Sequence, residues 1–245
     1  MNEYGEIVAQ PRITRNGKLI DFTCGISTVT DVENNTYNTV QIGTQCWMQE
    51  NLKTTKYADG TTISQGSSTS TTDAYWYYPD NNSSNKDTYG LLYNWKAVMN
   101  GSTSSSANPS GVQGLCPDGW HVPSDAEWTQ LTEYVSSQSE YVCDNNNANI
   151  GKALASTQNW PNSSISCAVG NTPNSNNATG FTAVPAGYSN GGYEYFDAIA
   201  YFWSATSYDS TYAYYRYLYC HDAYVYSPYT YKFNAFSVRC VRDAE

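Results

Sequence analysis

Between Tyr208 and Tyr231 the chain reads YDSTYAYYRYLYCHDAYVYSPYTY, and ten of these 24 residues are tyrosine, out of 24 tyrosines in the whole protein. Tyrosine is a good strand former, so the segment is expected to be extended. A strand sends successive side chains to opposite faces, and neighbours such as Tyr214 and Tyr215 then occupy both. The structural alternative is an edge strand and loop of a β-rich protein, but ten rings exceed what one such strand needs. At least some of Tyr208, Tyr212, Tyr214, Tyr215, Tyr217, Tyr219, Tyr224, Tyr226, Tyr229 and Tyr231 must therefore meet water. Tyrosine combines a large rigid contact area, few torsions to freeze and a versatile hydroxyl, which is why it is abundant in antibody paratopes beside Ser, Gly and Asn. The segment is accordingly expected to be a binding surface.

The remaining composition narrows the setting. A chain of 245 residues can bury a core as one large domain or two small ones. Only 14% of residues are charged, against about 25% in typical domains, and Asn, Ser, Thr and Tyr fill the gap. A net charge of −10 with 12 Lys and Arg argues against a nucleic-acid partner, because phosphate binding needs clustered cations. No apolar run approaches the ~18 residues of a membrane span, so no membrane insertion is expected. The N-terminus, MNEYGEIVAQPRITRNGKLID, has no apolar h-region and shows no secretory leader. Seven scattered cysteines, Cys24, Cys46, Cys116, Cys143, Cys167, Cys220 and Cys240, include no C-x-x-C pair. They fit a few disulfides in an oxidising setting and leave one residue over. Either a leader has been removed and Met1 added, or the protein reaches the outside without one, as on a virion.

Along the chain, residues 1–24 read as a lead-in of irregular or single-strand character, followed by one domain over 25–245. In TYNTVQIGTQCWMQENL, apolar and polar residues alternate across Gly43, which predicts two strands and a turn. Leu92, Trp95 and Met99 in YGLLYNWKAVM are spaced as one helical face. In GWHVPSDAEWTQLTEYV, Ser124 and Glu127 form a capping box that starts a helix at about Asp125, with Trp128, Leu131 and Val135 as its inward stripe. Asn147 to Ser156 is a second short helix, and Ser/Thr/Gly-rich and Asn/Ser/Pro-rich stretches are loops. GFTAVPAGYS, AYFWSAT, AYYRYLY and FSVRCVRD read as short strands. The fold class is α+β, with short antiparallel strands, two or three helices and long loops.

Six stretches in this order, YNTVQIGTQCWMQENL, YGLLYNW, LCPDGWHVPSDAEW, GFTAVPAGY, FWSAT and FSVRCVRD, resemble the Fibrobacter succinogenes major paralogous domain of Bacteroidetes surface proteins, over about Asp31 to Asp243. The resemblance implies a C-type lectin-like fold in the version of formylglycine-generating enzymes, whose LPTEAEWE element is similar to Pro123–Trp128. A second resemblance is to variable proteins of diversity-generating retroelements, which use the same fold. There, adenine-specific mutagenesis of Asn codons scatters Tyr, Ser, Asp, His, Cys and Phe over one C-terminal surface, as over 207–234 here. That likeness adds Asp209, His221, Asp222 and Asn234 to the ten tyrosines as ligand-binding candidates. It implies that Ala213, Arg216, Leu218, Ala223, Val225 and Lys232 hold the backbone, and that Cys220 needs no partner. Of the other six cysteines, Cys143 is expected to pair with Cys167 and Cys116 with Cys240, although the connectivity is open from sequence.

Two rival classes fit the sequence less well. Formylglycine-generating enzymes act through two neighbouring cysteines near the C-terminal end, whereas this chain has Cys220 alone there; His221 adjoins it, but adjacent strand residues face opposite ways. His121 reads as a buried, hydrogen-bonded structural residue, and no enzyme activity is expected. The Glu-Pro-Asn, Gln-Pro-Asp and Trp-Asn-Asp motifs of calcium-dependent lectins are absent, and Pro79–Asp87 lacks the glycine and final acid of an EF-hand. No cofactor or metal is implied. The expected function is therefore a surface-displayed receptor-binding protein, an adhesin or a phage receptor-binding protein. Its partner would be a protein or glycan receptor on another cell or host surface, and the alternative is a metal-independent carbohydrate-binding module.

Overall fold

In the computed structural model, which describes residues 13–15, 18–20 and 22–243, the elements follow from short local signals. Val40 and Ile42 alternate with polar residues up to Gly43, whose φ of 61° favours glycine. Thr39–Ile42 accordingly folds back on Gln45–Met48, in register from Thr39 opposite Met48 to Ile42 opposite Gln45. Val241–Asp243 pairs with the other edge of Gln45–Met48, so an early hairpin and the end of the chain share one three-stranded sheet. Of the lead-in, Ile13–Arg15 and Lys18–Ile20 form an antiparallel hairpin rather than a single strand; residues 1–12 lie outside the described residues.

The capping box forms as read. Ser124 Oγ accepts from the Glu127 N–H, the Glu127 carboxylate accepts from the Ser124 N–H, and the helix runs over Asp125–Ser137 with Trp128, Leu131 and Val135 buried. Tyr89–Met99 is not one helix. Asn94 accepts from the Ala97 N–H and caps a helix over only Trp95–Met99, because an Asn at that position competes for the helix start. The apolar residues before it form the strand Leu92–Asn94, paired with both Tyr75–Tyr77 and Ala235–Phe236. The second short helix shrinks to Gly151–Leu154. In GFTAVPAGYS only Tyr188–Ser189 is a strand, while Ala183 makes a single bridge to Ala155.

The result is a mixed α+β architecture of many short strands and few helices. A six-stranded sheet runs in the order Tyr193–Glu194, Tyr188–Ser189, Ala235–Phe236, Leu92–Asn94, Tyr75–Tyr77, Ser64–Gln65. Beside it, Ile199–Ser207, Tyr212–Tyr219 and Tyr229–Tyr231 form an antiparallel sheet. Ile199–Ser207 is buried almost throughout because it separates two cores. Tyr201, Trp203 and Ala205 enter one with Tyr93 and Phe236, and Ala200 and Phe202 enter the other with Trp47, Trp128 and Phe181. Disulfides join Cys24 to Cys46, Cys116 to Cys240 and Cys143 to Cys167, and Cys220 is free. These bridges fit a secreted or surface setting. Among the described residues no helix is long and apolar enough to cross a membrane.

Candidate ligand-binding surface

The strand Tyr212–Tyr219 distributes its tyrosines by parity. Ala213 is fully buried in the first core, and Tyr215, Tyr217 and Tyr219 pack against that core half-buried. On the opposite face Leu218 enters the second core. Arg216 there is buried, and its guanidinium donates to Asp125 Oδ1 (2.5 Å), the Asp125 carbonyl (3.1 Å) and Thr129 Oγ1 (3.1 Å). The strand is thereby bolted to the first turn of the capped helix. Tyr212 and Tyr214 share the Arg216 face, where their rings meet those of Tyr208, Tyr229 and Tyr231 instead of the core.

These five rings form an outer cluster, in which Tyr208, Tyr229 and Tyr231 are exposed and Tyr212 and Tyr214 half-buried. Tyr212 lies opposite Tyr231 and Tyr214 opposite Tyr229 in the sheet register, and Tyr208 stacks on Tyr229 with centroids 4.0 Å apart and planes 5° from parallel. Tyr208, Tyr229 and Tyr231 keep 51%, 48% and 44% of their surface in water. The turn that presents them is fixed from below. Asp209 Oδ1 accepts from the N–H groups of Thr211 and Tyr212 at 2.7 and 2.8 Å. Lys232 Nζ donates to the Asp209 carbonyl at 2.6 Å and sits 4.5 Å from the Trp95 ring centroid. Asp209 thus shapes the turn that carries the rings.

The other tyrosines make a layer continuous with the core. Tyr215 and Tyr217 contact Tyr201, and Tyr215 contacts Phe236; burial, then neighbouring Tyr217 and Tyr188, push the Tyr215 phenol up to about 12. Tyr226 stacks on Tyr217 at 4.5 Å and its hydroxyl donates to Asp222 Oδ2 at 2.5 Å. That hydrogen bond, more than burial, raises its pKa well above the usual phenol range. Asp222 Oδ1 accepts from the Ala223 N–H at 2.7 Å, so Asp222 holds both the loop and the ring. Tyr224 is exposed at right angles to Tyr226. His221 is exposed and edge-on to Tyr219. Asn234 is buried and donates to Thr230 Oγ1.

The segment therefore contains an outer cluster at one end and an inner layer at the other. Two contributions lay outside the sequence reading. Tyr188 and Tyr201, from earlier strands, complete the inner layer, and a groove beside Tyr224 and Tyr226 takes its far wall from the capped helix, including Glu133. The signal for the latter was Glu133's place off the Trp128–Leu131–Val135 stripe, which turns it outward.

The catalytic candidates are placed differently. Cys220 is buried, and burial raises its thiol pKa, the opposite of what a thiolate nucleophile requires. His121 Nε2 lies 2.5 Å from Glu127 Oε1. Among the described residues the one group with metal-ligand spacing is Cys143, Asp144 and Cys167, and both its sulfurs are in a disulfide.

A search of curated proteins and a search of solved structures each gave no match. The family model of the Fibrobacter succinogenes major domain matches residues 40–242, from the first hairpin to the strand that closes its sheet. By that match the chain belongs to the Fibrobacter succinogenes major domain family.

Proposed function

We propose that the protein is a receptor-binding protein displayed outside the cell, as an adhesin or on a phage particle, and that residues 207–234 are a diversified recognition surface on a C-type lectin-like domain over 25–245. The observation that carries this reading is the partition within one segment. Ala213, Arg216, Leu218 and Ala223 are buried, while Tyr208, Tyr229 and Tyr231, whose neighbours they support, remain open to water. Rigid aromatic rings that carry hydroxyls on a fixed frame suit recognition, since they contribute contact area at low entropic cost. The reading assigns no catalytic step and no cofactor; the burial that raises the Cys220 thiol pKa leaves that residue poorly suited to act as a nucleophile. Its partner is a protein or glycan receptor on another cell or host surface.

The test is flow cytometry of fluorescently labelled protein on whole bacterial cells, using a strain that the unaltered protein labels. Tyr208→Ser together with Tyr229→Ser should cut cell binding at least about tenfold, because a few central aromatics carry most of such an interface. The melting temperature should stay nearly constant, because these rings are half in water already. A folded double variant that labels cells as well as the unaltered protein would remove this surface as the binding site.

A further inference from the structure

A groove of about 490 Å³ lies between the helix Asp125–Ser137 and the Tyr224–Tyr226 stretch. Ile150, which is buried, supplies an apolar floor, and Ser136 and Asn147 add polar groups at its edge. Tyr224 and Tyr226 form one wall, their centroids 5.9 Å apart and their planes at 85°. Glu133 brings the only charged side chain among the lining residues, and no lysine or arginine is present there.

Each wall favours the same charge. Aromatic faces are the negative side of the ring quadrupole and attract cations. Tyr226 is also held in place, with one face stacked on Tyr217 and its hydroxyl donating to Asp222. Donation to a carboxylate shifts electron density into the phenol and makes the ring a better cation partner. An anion would meet Glu133, and the net charge of −10 steers basic rather than acidic partners toward the molecule.

We infer that this groove receives a lysine or arginine side chain of the partner protein, its aliphatic stem on the Ile150 floor and its charged head between Glu133 and the Tyr224–Tyr226 corner. The inference rests on the recognition reading above and deepens it, by assigning the inner end of the tyrosine segment a basic protein segment as its ligand.

The probe is the peptide acetyl-Gly-Lys-Gly-Lys-Gly-amide, titrated into isotope-labelled protein while amide chemical shifts are followed. Shifts are expected at Glu133, Asn147 and Tyr224 to Tyr226, weakening as salt is added, with none from the matching glutamate peptide. Glu133→Gln should raise the peptide Kd about two- to fivefold, the size of an exposed cation contact, and Tyr224→Leu, which keeps apolar bulk and loses the ring, should do the same. Glu140→Gln, an exposed carboxylate outside the groove, should leave the Kd unchanged. Equal shifts from both peptides, no shifts at the groove, or a Kd indifferent to Glu133→Gln would each overturn the assignment. If the groove fails while Tyr208→Ser with Tyr229→Ser still abolishes cell labelling, only the basic ligand is lost. The reverse outcome would remove the outer cluster and leave the groove.

Discussion

At the scale of single residues, Glu127 shows how much a local motif conceals. The spacing of Ser124 and Glu127 discloses a helix cap, whose loss costs about 1 kcal/mol. It does not disclose that Glu127 is almost wholly buried. There its Oε2 accepts from the Ser110 N–H at 3.0 Å as well as from the Ser124 N–H at 2.9 Å, and its Oε1 meets His121. Ser110 and His121 lie on the strandless stretch that carries the chain into the helix, and tertiary partners of this kind leave no periodic trace. Ser124→Ala is therefore expected to destabilise by about 1 kcal/mol, and Glu127→Ala by about 3–5 kcal/mol, because it strands two buried N–H groups and the half-buried His121 ring at once. Urea denaturation with the disulfides intact measures both. Equal small losses would mean that Glu127 is no more than a cap. Cys220 carries the opposite lesson. The odd cysteine count showed that one cysteine lacks a partner and the resemblance to variable proteins implied that it is Cys220, but its burial in the second core was not legible, because the composition of a variable-looking segment says nothing about which positions turn inward.

At the scale of elements, the strands and the capped helix were legible where period and capping agree. The first hairpin has both alternation and a turn glycine, and the capped helix has its box and its stripe. The failure at Tyr89–Met99 arose because Leu92, Trp95 and Met99 satisfy a helical spacing by coincidence while Asn94 starts the helix midway. The tyrosine strand was legible as a strand with rings on both faces. Which rings belong to the core was not, since that depends on Tyr201 and Phe236 arriving from other strands. This division makes a prediction about the two ends of the segment. Tyr217→Ser should lower stability by about 1–3 kcal/mol, the range for removing a buried side chain in part, since its ring lies between Tyr201 and Tyr226. Tyr229→Ser, at the exposed end, should change it by less than about 0.5 kcal/mol. Equal costs at the two positions, measured by thermal unfolding, would contradict the separation of inner layer from outer cluster.

At the scale of the whole molecule, three disulfides, two cores divided by one long strand and a buried arginine make the frame on which the proposed variable segment sits. Arg239 is fully buried, and burial lowers its pKa to about 9, so it stays charged at neutral pH. Its guanidinium stacks over Phe181 and donates to Asn51 Oδ1 and to the carbonyls of Met48, Phe181 and Thr182. It thereby ties the C-terminal segment to the first hairpin and to the loop beside Phe181. On the proposed function, residues 207–234 vary on such a frame. Deep sequencing of the corresponding coding segment across a natural population measures this directly. Substitutions are expected to concentrate at the exposed positions Tyr208, Tyr224, Tyr229 and Tyr231 and at the half-buried Tyr212 and Tyr214 of the outer cluster, with Ala213, Arg216 and Leu218 unchanged. An invariant segment, or one in which Arg216 and Leu218 vary as freely as Tyr208 and Tyr229, would contradict the claim.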